Sequence, residues 1–277
     1  MNPAAKKIIL KTKKQVYAER VGNNPSLFQG EGFEFSELRE YVHGDDVRKI
    51  DWKTTAKLGK PYVKVYKEER ELNVVAVSVL GGSVYFGTVR QKSEVIAEIV
   101  ATLGFSAIKN SDLFSHFLFA DDLYSICKPS KKLFAVHQVA EELISFDPLG
   151  KEADYHALVS MLSKRLKKKA LLFIVSDFVG DIDLKPLSKK HDLFAVIVRD
   201  KFEENPDELG YLRLVDMENQ KSFEGNIDRQ TLTHYKKALH ENDERLYRQF
   251  KKQGIRFVKV YTDEDPALKL IKHMGKV

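Results

Sequence analysis

Residues 73–87, NVVAVSVLGGSVYFG, decide the fold. Val74 to Leu80 is an almost unbroken apolar run rich in β-branched residues, as a strand buried on both faces requires. Gly81 and Gly82 end it. From about Val89 the pattern turns helical, with Val95, Ile96, Ile99, Val100 and Leu103 on one face. A doubly buried strand, a glycine turn and a helix predict a parallel α/β unit.

The alternation continues along the chain. Leu113 to Phe119 reads as a strand, which Asp121-Asp122 can turn into a second over Leu123 to Cys127. Leu133 to Ile144 and Tyr155 to Leu166 have helical spacing, and Ala170 to Val175 and Leu193 to Val198 are apolar strands. Residues 211–227 suggest a polar hairpin around Glu218-Asn219. A charged helix runs from Asp228 to Lys252 and stops at Gly254, followed by a strand at Ile255 to Tyr261 and a helix at Pro266 to His273. The expected fold class is therefore α/β, a mainly parallel sheet flanked by helices, with ligand-binding loops at the carboxyl strand ends. Residues 1–66, rich in glycine, charge and pairs such as Tyr62-Val63, predict a small β-rich N-terminal module ahead of an α/β domain at 67–277.

Composition narrows the function classes. The chain has 277 residues, 43% of them hydrophobic, enough to bury a large core. Its 46 basic and 40 acidic residues leave a net charge of +6. Both signs are abundant, which argues against a dedicated nucleic-acid binder. The single cysteine, Cys127, excludes an internal disulfide and a thiolate zinc site and suggests a reducing compartment. The apolar run at Ile8 to Leu10 is too short for a signal peptide, and no window approaches the roughly 18–20 apolar residues of a membrane span. A soluble, cytoplasmic protein is expected.

Residues 30–70, GEGFEFSELREYVHGDDVRKIDWKTTAKLGKPYVKVYKEER, interleave charge with aromatic and β-branched residues. The carboxylates Glu34, Asp45, Asp46, Asp51, Glu68 and Glu69 would suit a metal-dependent nuclease or phosphotransferase if they gathered around a cation. Near-equal numbers of each sign favour pairing with Arg39, Arg48, Lys64 and Arg70 instead, bracing the module or forming a rigid recognition surface. Gly44-Asp45-Asp46 reads as a turn, and Trp52 as a core anchor in preference to a stacking platform. The histidines show no HExxH spacing, no Gly-x-Ser-x-Gly elbow occurs, and no Gly-Lys-Ser/Thr follows Gly81-Gly82-Ser83. The run Lys164 to Lys169 reads as a solvated helix end.

The pattern Gly-x-Gly-x-Glu-Phe-x-x-x-Arg-x-Tyr-x-x-Gly-Asp-Asp-x-Arg-x-Ile-Asp-Trp resembles the signature of the bacterial family catalogued as domain of unknown function fifty-eight. In this sequence it is carried by Glu34, Arg39, Tyr41, Asp45, Arg48, Asp51 and Trp52, followed by Glu69 and Arg70. The order of later features to the C-terminus is similar too. The resemblance implies a von Willebrand factor A-like (Rossmann-like) domain, which typically holds Mg²⁺ or Mn²⁺ in a metal-ion-dependent adhesion site. At the matching positions this sequence has Val79, Gly81, Ser83, Ala153 and Asp177, of which Ser83 and Asp177 alone keep an oxygen side chain. A hard dication needs about six oxygens, so the site is expected to be degenerate and no cofactor is expected. The family also implies a partner, a MoxR-type AAA+ ATPase with its client proteins. The leading expectation is a non-enzymatic adaptor, touching its partners through the 34–70 segment and the loops at Gly81–Ser83 and Asp177–Gly180.

Overall fold

The computed structural model describes residues 2–18, 35–66 and 71–274 and divides the chain into two compact units, Met1–Phe28 with Leu72–Val277, and Gln29–Glu71. The larger unit is built on a six-stranded sheet. Its strands are β3 (Asn73–Val79), β4 (Leu113–Phe119), β5 (Leu123–Ser130), β6 (Leu171–Ser176), β7 (Asp192–Arg199) and β10 (Arg256–Tyr261), in the order β10-β7-β6-β3-β4-β5. All neighbours are parallel except β5, which returns antiparallel along β4 through the Asp121-Asp122 turn. The expected mainly parallel α/β sheet is what forms.

Alternate strand residues feed two cores, because successive side chains point to opposite faces. Val74 and Ala76 join Phe114, Phe173, Val175 and Val196 on one side, under α3 (Lys92–Lys109), α4 (Leu133–Ser145) and α9 (Pro266–Met274). Val75, Val77 and Val79 join Phe119, Leu172, Ile174 and Ile197 on the other, under α5 (Tyr155–Arg165), α6 (Lys185–Ser188) and α8 (Arg229–Lys252). Burial of both faces explains why the strands read as continuous apolar runs. A one-turn helix, α7 (Lys201–Glu204), follows β7, and the hairpin β8 (Gly210–Val215) and β9 (Ser222–Ile227) precedes α8.

The first strand of the sheet, β3, lies in its middle, with β4 on one side and β6 on the other. Connections therefore leave in opposite directions between β3 and β6, opening a crevice at their carboxyl ends. Gly81–Ser83 and Asp177 stand there.

Two expectations about the N-terminal region are corrected. Residues 3–18 are not part of a β-rich module. They form α1 (Pro3–Ala18), whose Ala5, Ile9, Thr12 and Val16 are buried, with Ile9 and Val16 in the core beneath α3. The separate compact unit thus spans 29–71 in place of 1–66. It holds the antiparallel pair β1 (Phe35–Glu40) and β2 (Tyr62–Tyr66), a 3-10 turn at Val47–Lys49, and α2 (Trp52–Leu58).

Trp52 is the second correction: it is 69% exposed and anchors no core. It is the first residue of α2, a seven-residue helix with no buried side chain, capped by the Asp51 carboxylate through the amides of Lys53 and Thr54. The cap fixes Asp51 and leaves the indole facing outward.

Candidate functional site

In the smaller unit two of the expected charge pairs form among the described residues. Arg39 grips Asp45 with two bonds, Nη1 to Oδ2 at 2.8 Å and Nη2 to Oδ1 at 2.6 Å. Asp46 takes Arg48 Nε and Nη2, both at 3.0 Å, and caps the 3-10 turn through the Arg48 amide. Gly44 has φ +108°, the turn conformation that glycine tolerates. Tyr41 donates its backbone amide to the Pro61 carbonyl. Glu34, Glu68, Glu69 and Arg70 lie outside the described residues, as does the Lys64 side chain. Asp45, Asp46 and Asp51 are each committed to a guanidinium or a helix N-terminus. No described group of three His, Cys, Asp or Glu side chains is placed to hold a metal ion.

The crevice at the strand ends of the larger unit brings distant residues together. Val79 is wholly buried in the apolar core, and its carbonyl accepts from Ser176 Oγ at 2.9 Å. Gly81 packs against Ala153, while Ser83 and Asp177 approach the same point. The group that dominates these positions, Lys92, is not among the residues their spacing points to. Lys92, the first residue of α3, is 0% exposed, and its Nζ donates to Asp177 Oδ2 at 3.0 Å and Glu203 Oε1 at 2.5 Å. Burial alone would depress the Lys92 ammonium, but the two carboxylates outweigh it and hold its pKa above the ordinary value. Burial likewise pushes Asp177 up, and Lys92 and Arg199 more than reverse this, so it stays ionised.

A signal for Lys92 was present. It precedes Val95 and Ile96 by three and four residues, so it falls on the buried stripe of α3. A cation at a helix N-terminus also opposes the helix dipole. Lysine on both counts is unfavourable unless anions meet it, and the anions come from β6 and α7.

Around this ion pair the loops are locked. Asp200 accepts from the Thr88 amide, Thr88 Oγ1, Thr262 Oγ1 and the Phe202 amide, and forms a capping box with Glu203. Arg199 donates Nη2 to Asp243 Oδ1 at 3.2 Å, and Lys259 bridges Asp243 and Glu204 at 2.8 and 2.6 Å. Tyr155 Oη and Ser176 Oγ share a buried hydrogen bond of 2.9 Å.

The β8–β9 hairpin closes the crevice from above. A Cβ on Gly82 would lie 2.1 Å from the Met217 carbonyl oxygen, and one on Gly81 would lie 2.8 Å from Glu218 Oε1. Gly82 donates its amide to the Lys151 carbonyl, and Gly150 donates to Met217. The expectation that Gly81–Ser83 forms an exposed contact loop is therefore corrected: Gly81 and Gly82 are buried beneath the hairpin. Ser83 Oγ is buried beside Asp177 and Glu218, and its hydroxyl favours the charged form of each. Burial and the neighbouring Asp177 charge raise the pKa of Glu218.

These donors do not fit a hard dication. The Asp177 carboxylate is occupied by an ammonium. Two like unit charges 4 Å apart repel by about 4 kcal/mol at an effective dielectric of 20, and a dication doubles that. A divalent ion at Asp177 would have to evict Lys92.

The fold and site define an α/β protein whose strand-end crevice is filled by its own lysine. A family model described as "Protein of unknown function DUF58" matches residues 37–245, and the chain belongs to that family. Uncharacterized proteins of Mycobacterium bovis and Mycobacterium tuberculosis are 24% identical over 262 residues, covering 92% of this chain and 82% of theirs. Among solved structures, the conserved hypothetical protein BatB from Bacteroides thetaiotaomicron is similar with a TM-score of 0.48 at 9% identity, over 74% of this chain and 98% of that one. An aerotolerance-related membrane protein from Bacteroides fragilis gives 0.46 at 8%, over 74% and 100%. Among the described residues of this chain, no helix is long and apolar enough to cross a membrane.

Proposed function

We propose that this chain is a non-enzymatic protein-interaction module that works in the cytoplasm as an adaptor for a MoxR-type AAA+ ATPase and its clients. In this reading the crevice is the degenerate adhesion site of a von Willebrand factor A-like domain, with the Lys92 ammonium standing where such domains carry a dication. The observation that supports it is the 3.0 Å contact between Lys92 Nζ and Asp177 Oδ2 in a fully buried setting. A tethered monocation offers no open coordination position, so it cannot bridge to a partner's carboxylate or activate water as a bound metal does. It does neutralise Asp177 and stiffen the loops, which suits a scaffold.

Co-purification of the full chain with the host ATPase tests this. The complex is expected to survive chelation by EDTA. Loss of the complex on chelation, restored by added Mg²⁺ alone, would count against a metal-free module. Turnover of a nucleic acid or phosphate ester by the purified chain would remove the non-enzymatic reading.

A further inference from the structure

At the amino ends of β6, β7 and β10, opposite the crevice, the larger unit presents a level and strongly basic face. The three strands begin at nearly the same height, with Leu171 opposite Asp192 and Phe194 opposite Arg256, and the Asp192 amide donates to the Ala170 carbonyl at 3.0 Å. Between Lys164 and Lys169 every residue but Leu166 is a cation, and Lys189, Lys190, Lys251, Lys252 and Arg256 join them; all of these cations are exposed. Within residues 164–170, 183–192 and 251–256 the acidic residues are Asp183 and Asp192, and the positive charge left after subtracting them exceeds the +6 of the entire chain. The mild basic excess of the composition is therefore gathered at one end, and the remainder of the chain is net acidic.

Local needs account for part of this. Lys164 and Arg165 end α5, and Lys251 and Lys252 end α8, where cations meet the negative end of a helix. Lys169 Nζ lies 3.1 Å from Asp192 Oδ2, and Lys190 donates to the Leu166 carbonyl. Lys167 and Lys168 lie beyond the last turn of α5, and Lys189 closes a helix of a single turn. Among the described residues, Lys167, Lys168, Lys189, Lys251 and Lys252 meet no carboxylate within ion-pair distance, whereas Lys169 does. Like charges gathered on one face repel, and a bound polyanion relieves that repulsion.

The other properties of the face select the polyanion. None of its large apolar or aromatic side chains is exposed. Protein interfaces are depleted in lysine and enriched in aromatic residues, and single-stranded nucleic acid needs aromatic platforms on which to stack. Reading a duplex takes a helix or ribbon that enters a groove, and here α5 and α8 stop at the face. A duplex is a narrow cylinder that meets a level face along one line, whereas a bilayer is itself level and meets all the lysines at once. We propose that the amino-end face of the sheet docks on an anionic lipid bilayer, held by attraction between lysines and headgroups without apolar insertion. The crevice at the carboxyl strand ends then points away from the membrane. This assignment does not depend on the adaptor reading.

Sedimentation of the full chain with vesicles tests it, phosphatidylcholine alone against phosphatidylcholine mixed with phosphatidylserine. Binding is expected to the mixed vesicles only, and it should fall away as salt rises past about 0.15 M. Lys167→Gln with Lys168→Gln, and Lys251→Gln with Lys252→Gln, should each weaken it about tenfold or more. Lys221→Gln with Lys237→Gln removes the same charge from the β8–β9 turn and the first half of α8, and should leave binding unchanged. All six side chains are exposed, so the fold tolerates the changes. Equal losses in the three variants would show that net charge, and not this face, drives binding. Retention on phosphatidylcholine alone, insensitivity to salt, or tighter binding to a labelled DNA duplex in the same buffer would overturn the lipid assignment. So would the absence of binding to the mixed vesicles at low salt.

Discussion

Lys92 is a fully buried ammonium held by two carboxylates, Asp177 with a side chain 3% exposed and Glu203 with one 21% exposed. Lys92→Met is expected to cost about 3–5 kcal/mol, the usual penalty for leaving one side of a buried pair uncompensated. Urea denaturation measures it, and a loss under about 1 kcal/mol would show that Asp177 and Glu203 do not depend on the ammonium. The pH dependence follows from the shifts. Asp177 is depressed below 3.8, so its contribution is complete above that value and is lost as pH falls through the folded pKa. Lys92 is raised above 10.5, so its contribution is complete below 10.5 and is lost as pH rises through the folded pKa. The pair therefore holds across neutral pH. Glu218 runs the other way. Raised above 4.5, it favours the fold while neutral and loses that advantage as pH rises through its folded pKa. Glu218→Gln should leave stability unchanged below pH 4.5 and increase it at neutral pH. Thermal melts at both pH values check this, and a neutral-pH decrease would contradict it.

At the scale of elements, the hairpin and the glycine loop are fitted to one another backbone to backbone. Gly82→Ala places a methyl against the Met217 carbonyl, which has no flexible end to swing away. An overpacking cost of about 1–3 kcal/mol is expected, with faster proteolytic cleavage at residues 216–220. Unchanged cleavage and stability would show that the hairpin does not clamp the loop. Between β3 and β4, the His116 ring bonds Ser78 Oγ at 2.9 Å inside the core, and burial lowers its pKa to about 3. A buried neutral histidine favours the fold above pH 6.5 and ceases to do so as pH falls from 6.5 toward about 3. His116→Gln should flatten the acid limb by up to about 1.4 kcal/mol per pH unit, read from denaturation midpoints between pH 6.5 and 4. Parallel acid limbs in the two proteins would show that His116 does not titrate with unfolding.

For the whole molecule, a crevice filled by its own cation should be indifferent to magnesium. Calorimetric titration with Mg²⁺ is expected to show no saturable binding at micromolar concentrations, and EDTA should leave the melting temperature unchanged. Tight stoichiometric heat would mean that Lys92 can be displaced. Much of the architecture could be read in advance. The strands β3, β6 and β7 announced themselves as apolar runs, and β8 and β9 flanked the Glu218-Asn219 turn as expected. Helix α1 did not, because its buried face is a narrow line of Ala5, Ile9, Thr12 and Val16 between lysines, more polar than a core stripe usually is. Trp52 misled for the opposite reason: an indole suggests a core, but a short capped helix on a small unit had none to offer it.

Local spacing by itself determined most of the strands and helices after residue 73, that the sheet is mainly parallel, and that the carboxylates at 45, 46 and 51 have partners close in sequence. Periodicity records burial, and neighbouring charges meet through short turns, so both are written within a few residues. The tertiary structure alone decided that Lys92 joins Asp177 and Glu203, 85 and 111 residues away, and that a hairpin seals the glycine loop. Coulombic contacts across such distances depend on strand order and crossover geometry, and no local pattern encodes them.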